Sequence, residues 1–305
     1  VDILKTLKEK VINAANDTNT DSDRATIQKE LDQSIDQIND NANVTFNGQY
    51  LVDGSHNSQV TATTTTLTNQ SLSTATVSGS AMTALKTRTG TSLNIHSTDS
   101  VTVSYVKQGK TYTTTITVGS CSLTDIIAKA DGTSSDIKLT SASATGSSYI
   151  GKDASSNSVY TASGENAISI QAAGSGTTKQ IAGITISITD NTGKVNKSAN
   201  AALDAFDERI RAQDASQDNS IVLQIGTKAS QSIKAGLTDM RATALGLQGT
   251  NGATLNVSTQ TKANAAINVL DNAIQKALDQ QTTIGSIESR LEYTASNLTT
   301  ASENV

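Results

Sequence analysis

The sequence predicts an α+β, multidomain protein. A long, coiled-coil-like α-helical rod with a β hairpin is drawn from both chain ends, and a β-rich domain is drawn from the middle. Three observations predict this. Apolar residues recur at three- and four-residue spacing from Ser258 to the last residue, a shorter stretch at the start shows the same pattern, and the composition between them turns to Thr, Ser and Gly. Helices at both ends that each need a partner most simply pack on each other, which makes the middle an excursion. The boundaries read as 1–54 for the N-terminal half of the rod, 55–197 for the β-rich domain, and 198–305 for a helix, a hairpin and the C-terminal half of the rod.

Each element has its own signal. Val1 to Ala15 opens mid-helix, with Ile3, Leu4, Leu7, Val11 and Ala14 as its stripe. Asn16-Asp17-Thr18-Asn19 breaks it, and Thr20 with Asp23 forms a capping box for a second helix bearing Ile27, Leu31, Ile35 and Ile38. Phe46-Asn47-Gly48 marks a turn, since Asn-Gly supplies positive φ. From Ser55 to about Asp190, β-branched Thr favours extended backbone. Val101 to Val118 alternates like a hairpin around Lys107-Gln108-Gly109-Lys110, and Ser122 with Asp125 caps a short helix through Lys129. Ile168-Ser169-Ile170 and Ile184 to Ile188 read as strands. Ala199 to Ala212 returns to helical patterning, and its Ala-Asn-Ala-Ala recurs at 263–266. Ile221 to Ile233, including Ser230, reads as a hairpin.

The last helix carries Ala263, Ile267, Leu270, Ile274, Ala277, Ile284, Ile287, Leu291 and Leu298 on one stripe, with Asp271, Gln275, Lys276, Asp279, Glu288 and Arg290 outward. Only Gly285 weakens it, by roughly 1 kcal/mol relative to Ala. From Gln260 to Val305 it would form a rod about 70 Å long. Glu303-Asn304-Val305 reads as mid-helix, so the sequence stops without a cap.

The bulk composition excludes several functions. A net charge of −5 argues against a nucleic-acid partner, which calls for a basic face. No apolar run is long enough to span a membrane. Aromatic residues make up 3% of the 305 residues, without Trp and with two Phe, too few for the core of a compact enzyme of this length. Cys121 has no second cysteine to pair with and reads as a small buried hydrophobe. His56 and His96 are the only histidines, and neither stands at metal-ligand spacing. Gly174-Ser175-Gly176 lacks the third glycine of a dinucleotide loop, and Asp131-Gly132 and Asp190-Asn191-Thr192-Gly193 are turn chemistry. No cofactor, metal site or catalytic residue is expected.

A family resemblance then enters on particular residues. Thr238-Asp239-Met240-Arg241-Ala242-Thr243-Ala244-Leu245-Gly246-Leu247, Asn256 to Gln260, Ile284 to Thr294, and Asn297-Leu298 with Ser302-Glu303-Asn304 closely resemble the C-terminal half of bacterial flagellins. Ala14 to Asp23 and Thr45-Phe46-Asn47-Gly48 resemble the N-terminal half. The resemblance covers about residues 1–54 and 220–305. It implies a helical rod with outward, variable domains built from the middle, export through the flagellar channel, and an extracellular place in a flagellum or on the cell surface. It implies a structural filament subunit serving motility, with other flagellin subunits as partners and no enzymatic activity. Because flagellins assemble through terminal segments and this sequence begins and ends mid-helix, those segments are expected to be missing and the chain as given is expected to be a monomer.

Two surfaces follow. By resemblance, a patch of the first helix facing neighbouring subunits and a host Toll-like receptor falls on Lys5, Thr6, Lys8, Glu9, Lys10 and Glu30. Thr6 and Lys10 stand where strongly recognised flagellins carry Arg and Leu, so weak receptor activation is expected. Tyr105, Tyr112, Tyr149 and Tyr160, set among hydroxyls and amides, could instead bind a surface polysaccharide, or they could fill a small β core. In the polysaccharide reading, the chain is a flagellin-like surface protein, with Lys107, Lys110, Lys138, Lys152 and Lys179 as anchors. A hook–filament junction protein shares the end helices, but the Met240 to Leu247 match argues against it.

Overall fold

The computed structural model describes residues 1–132, 136–141, 149–161, 167–226 and 231–303. The chain opens with α1 (Asp2–Ala14) and α2 (Asp21–Ala42), followed by the small hairpin β1 (Thr45–Phe46) and β2 (Gln49–Tyr50). The middle supplies β3 (Thr66–Asn69), β4 (Ser100–Lys107), β5 (Lys110–Thr117), α3 (Leu123–Asp131), β6 (Ile137–Ser141), β7 (Tyr149–Lys152), β8 (Ser158–Tyr160), β9 (Ile168–Ala172), β10 (Ile181–Thr189), α4 (Lys197–Leu203) and β11 (Phe206–Ile210). The hairpin β12 (Ile221–Gln224) and β13 (Ser232–Ala235) precedes the long α5 (Gln260–Glu303). Helices at the two ends and a β-rich middle are the arrangement read from the sequence.

Local chemistry explains most starts and turns. Thr20 and Asp23 close the expected capping box on α2, and Ser122 and Asp125 do the same on α3. Asn47 and Gly48 take φ of 51° and 78°, the left-handed pair that a two-residue hairpin turn needs. Beside the two-stranded β7-β8, two larger antiparallel sheets form the middle, one in the order β10-β4-β5 and one in the order β11-β3-β9-β6. Their facing sides, with α3 and α4, enclose a core of Leu67, Val101, Val103, Tyr105, Ile126, Ile168, Ile170, Ile184 and Ile186.

A second core joins the two chain ends. Leu4, Leu7 and Val11 of α1 and Leu31, Ile35 and Ile38 of α2 pack with Ala263, Ala266, Val269 and Leu270 of α5. The segment 242–257 belongs to the same core through Ala242, Leu245, Leu247, Leu255 and Val257. α2 lies against α1 and is fastened to this segment. Gln28 bonds both Leu255 O and Val257 N, Asn39 bonds Ala242 N and the Gln248 side chain, and Asp32 accepts from Thr254 Oγ1.

The structure corrects four expectations. Residues 199–212 are not one helix: α4 ends at Leu203, Asp204 caps it, and β11 pairs with β3. Edge pairing outweighed helix propensity from Phe206 on, so the likeness to 263–266 holds only over α4 and does not extend to a repeated helix. Lys276 does not point outward but is buried with its ammonium on Ala244 O at 2.9 Å. Leu291 is only half-buried, and Ile284, Tyr293 and Leu298 beyond the α1 contact are exposed. Cys121 is half-buried rather than buried, with Lys129 Nζ 2.9 Å from its sulfur. Ser230 of the last hairpin and the uncapped end at 304–305 lie outside the described residues.

α5 is held from two sides over its first half. Opposite α1, it lies on the outer face of β10. Asn268 Nδ2 donates to Ile184 O at 2.9 Å and Asn272 Nδ2 to Ala182 O at 2.8 Å. Gly183 sits between them, and a Cβ there would stand 3.0 Å from both Val269 Cγ2 and Val269 N. The helix therefore approaches the strand backbone closely only because residue 183 has no side chain.

Candidate functional site

The surface of α1 is built by its period. Burying Leu4, Leu7, Val11 and Ala14 turns Lys5, Thr6 and Glu9 to solvent, with Lys8 and Lys10 at the margins of the buried stripe. Those two margins are strapped. Lys8 Nζ reaches Asp271 of α5 at 2.5 Å, and Lys10 Nζ reaches Glu30 of α2 at 2.5 Å. Five of the six patch residues thus lie on α1 and Glu30 joins them across the helix pair, so the patch is one continuous surface. The two ion pairs are exposed and each is worth roughly 0–1 kcal/mol. They orient side chains more than they hold the helices.

The sequence reading passed over what fixes this helix pair. Arg24 is 7% exposed. It donates from Nε to Ala14 O (3.0 Å), from Nη1 to Asn19 O (2.8 Å) and from Nη2 to Asn16 O (2.9 Å). One guanidinium thereby satisfies carbonyls at the C-terminal end of α1 and in the connection to α2. Its signal was its place three residues before Ile27 and seven before Leu31, on the apolar stripe.

Beneath α5 lies a second group of charges. The Glu208 side chain is 5% exposed; its Oε2 accepts from Arg211 Nε at 3.2 Å, and Arg211 Nη1 reaches Asp279 at 2.5 Å. Burial pushes the Glu208 carboxyl up to about 7, with the Arg211 and Lys276 charges pulling the other way. Burial also pushes Asp204 up to about 7 against a hydrogen bond from Asn268, and it lowers the pKa of the Lys276 ammonium.

The four middle-domain tyrosines separate into two pairs. Tyr105 and Tyr112 stack with centroids 5.1 Å apart at 13°. Tyr105 is 1% exposed and belongs to the core, so its ring cannot meet a glycan; Tyr112 packs beside it. Tyr149 and Tyr160 meet edge to face at 5.9 Å and 67°, and both are exposed.

Residues 1–57 match the family model of the bacterial flagellin N-terminal helical region. The N-terminal helical region is thus of the flagellin type. It is 29% identical over 304 residues to a flagellin of Clostridium tyrobutyricum, covering 99% of this chain and 67% of that protein. It is 35% identical over 85 residues to the flagellar filament core protein flaB2 of Brachyspira hyodysenteriae, covering 28% of this chain and 30% of the relative. Against that core protein the match therefore spans less than a third of the relative's length. The solved FliC of Burkholderia pseudomallei aligns over 95% of this chain and 93% of its own at 18% identity, with a TM-score of 0.30, and lends the assignment no weight.

Flagellins are structural proteins rather than enzymes, and in this chain the side chains that might have argued otherwise have ordinary places. His96 is exposed, with its backbone N–H bonded to Asp99, and His56 Nδ1 lies 3.3 Å from Asn219 O. The Asp190 carboxylate accepts from the backbone N–H of Thr192 and Lys194, which is a turn. Among the described residues, no cluster of His, Cys, Asp and Glu could hold a metal ion, and no helix is long and apolar enough to cross a membrane.

Proposed function

We propose that this flagellin-family chain is a structural subunit of a bacterial flagellar filament, placed outside the cell and serving motility. One observation carries the reading: an N-terminal helical region of the flagellin type packs along a C-terminal helix that continues past it. The division at 1–54, 55–197 and 198–305 goes with it, the first and last parts forming the rod and the middle facing outward. Other subunits are the partners, and the α1 patch of Lys5, Thr6, Lys8, Glu9, Lys10 and Glu30 is one contact surface among them. The test is to express the protein in a strain lacking its own flagellin. Filaments under the electron microscope and restored swimming are expected. A folded, exported protein that gives neither would overturn the reading.

The same patch supports a second, weaker partnership with a host Toll-like receptor. Anchors dominate such interfaces, and an Arg–Leu pair replaced by Thr6 and Lys10 should cost at least about tenfold in affinity, or about 1.4 kcal/mol. Reporter-cell activation is therefore expected to fall well below that of a strongly stimulatory flagellin. Equal activation would refute the assignment of the patch.

A further inference from the structure

The hairpin β7–β8 carries a feature that the packing of the chain does not use. Tyr149 and Tyr160 stand directly opposite each other in its register, and each is 55% exposed. Five of the eight aromatic residues are exposed, and among the described residues this is the pair of exposed rings that touch. Between this hairpin and the four-stranded sheet runs a groove of about 590 Å³, lined by Tyr149, Lys138, Lys152 and Thr64 among others. The hairpin is pinned in place over it. Gln171 Nε2 donates to Ile150 O at 2.7 Å, Thr61 N to Ala154 O at 2.9 Å, and the Thr61 and Ser156 hydroxyls meet at 2.8 Å. Such a platform loses little freedom when a ligand arrives.

Charge narrows the ligand. Lys138 and Lys152 are exposed and form no ion pair among the described residues, in a chain whose net charge is −5. We propose that this groove binds a carboxylated oligosaccharide, a uronic-acid-containing chain. One apolar sugar face lies on the exposed ring of Tyr149, which Tyr160 buttresses edge to face, the carboxylates meet Lys138 and Lys152, and sugar hydroxyls bond Thr64 and the Tyr149 phenol. Single-stranded nucleic acid fits less well, because rings tilted at 67° cannot stack two successive bases in parallel. The inference stands apart from the filament reading and holds or fails whether or not the chain polymerises.

Isothermal titration of the whole chain with trigalacturonate tests it, with galactotriose and an oligothymidylate as comparators. Trigalacturonate is expected to bind, galactotriose about tenfold more weakly or less, and the affinity to fall with added salt. Tyr149→Ala should weaken binding at least about tenfold. The double variant Lys138→Gln/Lys152→Gln should weaken it and flatten its salt dependence. All three side chains are exposed, so circular dichroism should be unchanged in both variants. No heat with trigalacturonate, or binding that survives Tyr149→Ala intact, overturns the proposal. Equal binding of galactotriose overturns the carboxylate assignment, and tighter binding of the oligothymidylate overturns the saccharide in favour of nucleic acid.

Discussion

Glu208 and Asp204 hold protons in the folded chain that the unfolded chain releases. Their carboxyls titrate near 7 when folded, against about 4 in an unfolded chain. Between those values the folded state binds more protons, so unfolding free energy falls as pH rises from about 4 to about 7 and then levels. Denaturant midpoints are expected to be higher near pH 5 than near pH 8, and Glu208→Gln or Asp204→Asn should flatten that slope. A midpoint that climbs steadily across the window would contradict it. Arg24 acts through geometry instead. Arg24→Ala would strip three carbonyls, one buried and two half-buried, of their donor, and hydrogen bonds from a charged group are worth about 1.5–3 kcal/mol each. A loss of at least about 2 kcal/mol is expected by urea unfolding, and Arg24→Lys should not rescue it, because one ammonium cannot match the planar fork.

α5 is one helix with two environments. Leu270 is fully buried between α1 and the β10 sheet, whereas Leu298 is 42% exposed. Leu270→Ala is expected to cost about 2–5 kcal/mol, and Leu298→Ala to change stability by less than about 0.5 kcal/mol in the isolated chain. Equal costs would mean that the distal half has a partner within the chain. The close contact between α5 and β10 makes its own prediction. Gly183→Ala places a methyl group at 3.0 Å from the Val269 backbone nitrogen, so helix and strand must part. About 1–3 kcal/mol of destabilisation is expected, and wild-type stability would show that the helix sits looser than this.

For the whole molecule, stability should divide along the same line. The two cores meet where α5 lies on β10, so residues 263–280 are covered on both sides and 281–300 face solvent for the most part. Native-state hydrogen exchange reports this directly: amides of the first stretch should exchange near the global unfolding limit and those of the second orders of magnitude faster. Uniform protection along α5 would show that the distal turns are stabilised by something other than packing. In an assembled filament, the same distal amides are the ones whose protection should rise.

The residues alone determined the local structure. Capping boxes at Thr20 and Ser122, the Asn47-Gly48 turn, and alternation in β4, β5, β9 and β10 are short-range effects, written in a few neighbouring side chains. The α1 patch came from the family resemblance, and one helical period decides only which of its side chains face out. Tertiary structure decided the rest. Phe206 to Ile210 is a strand because the free edge of β3 was there to pair with it. Lys276 and Arg24 turn inward because carbonyls across a chain separation await them. Tyr105 was divided from Tyr149 because β4 lines the core between the two larger sheets, whereas Tyr149 sits on the separate β7–β8 hairpin. Each of these outcomes depends on what lies opposite, and a partner distant in sequence leaves no mark on the periodicity of the residues that meet it.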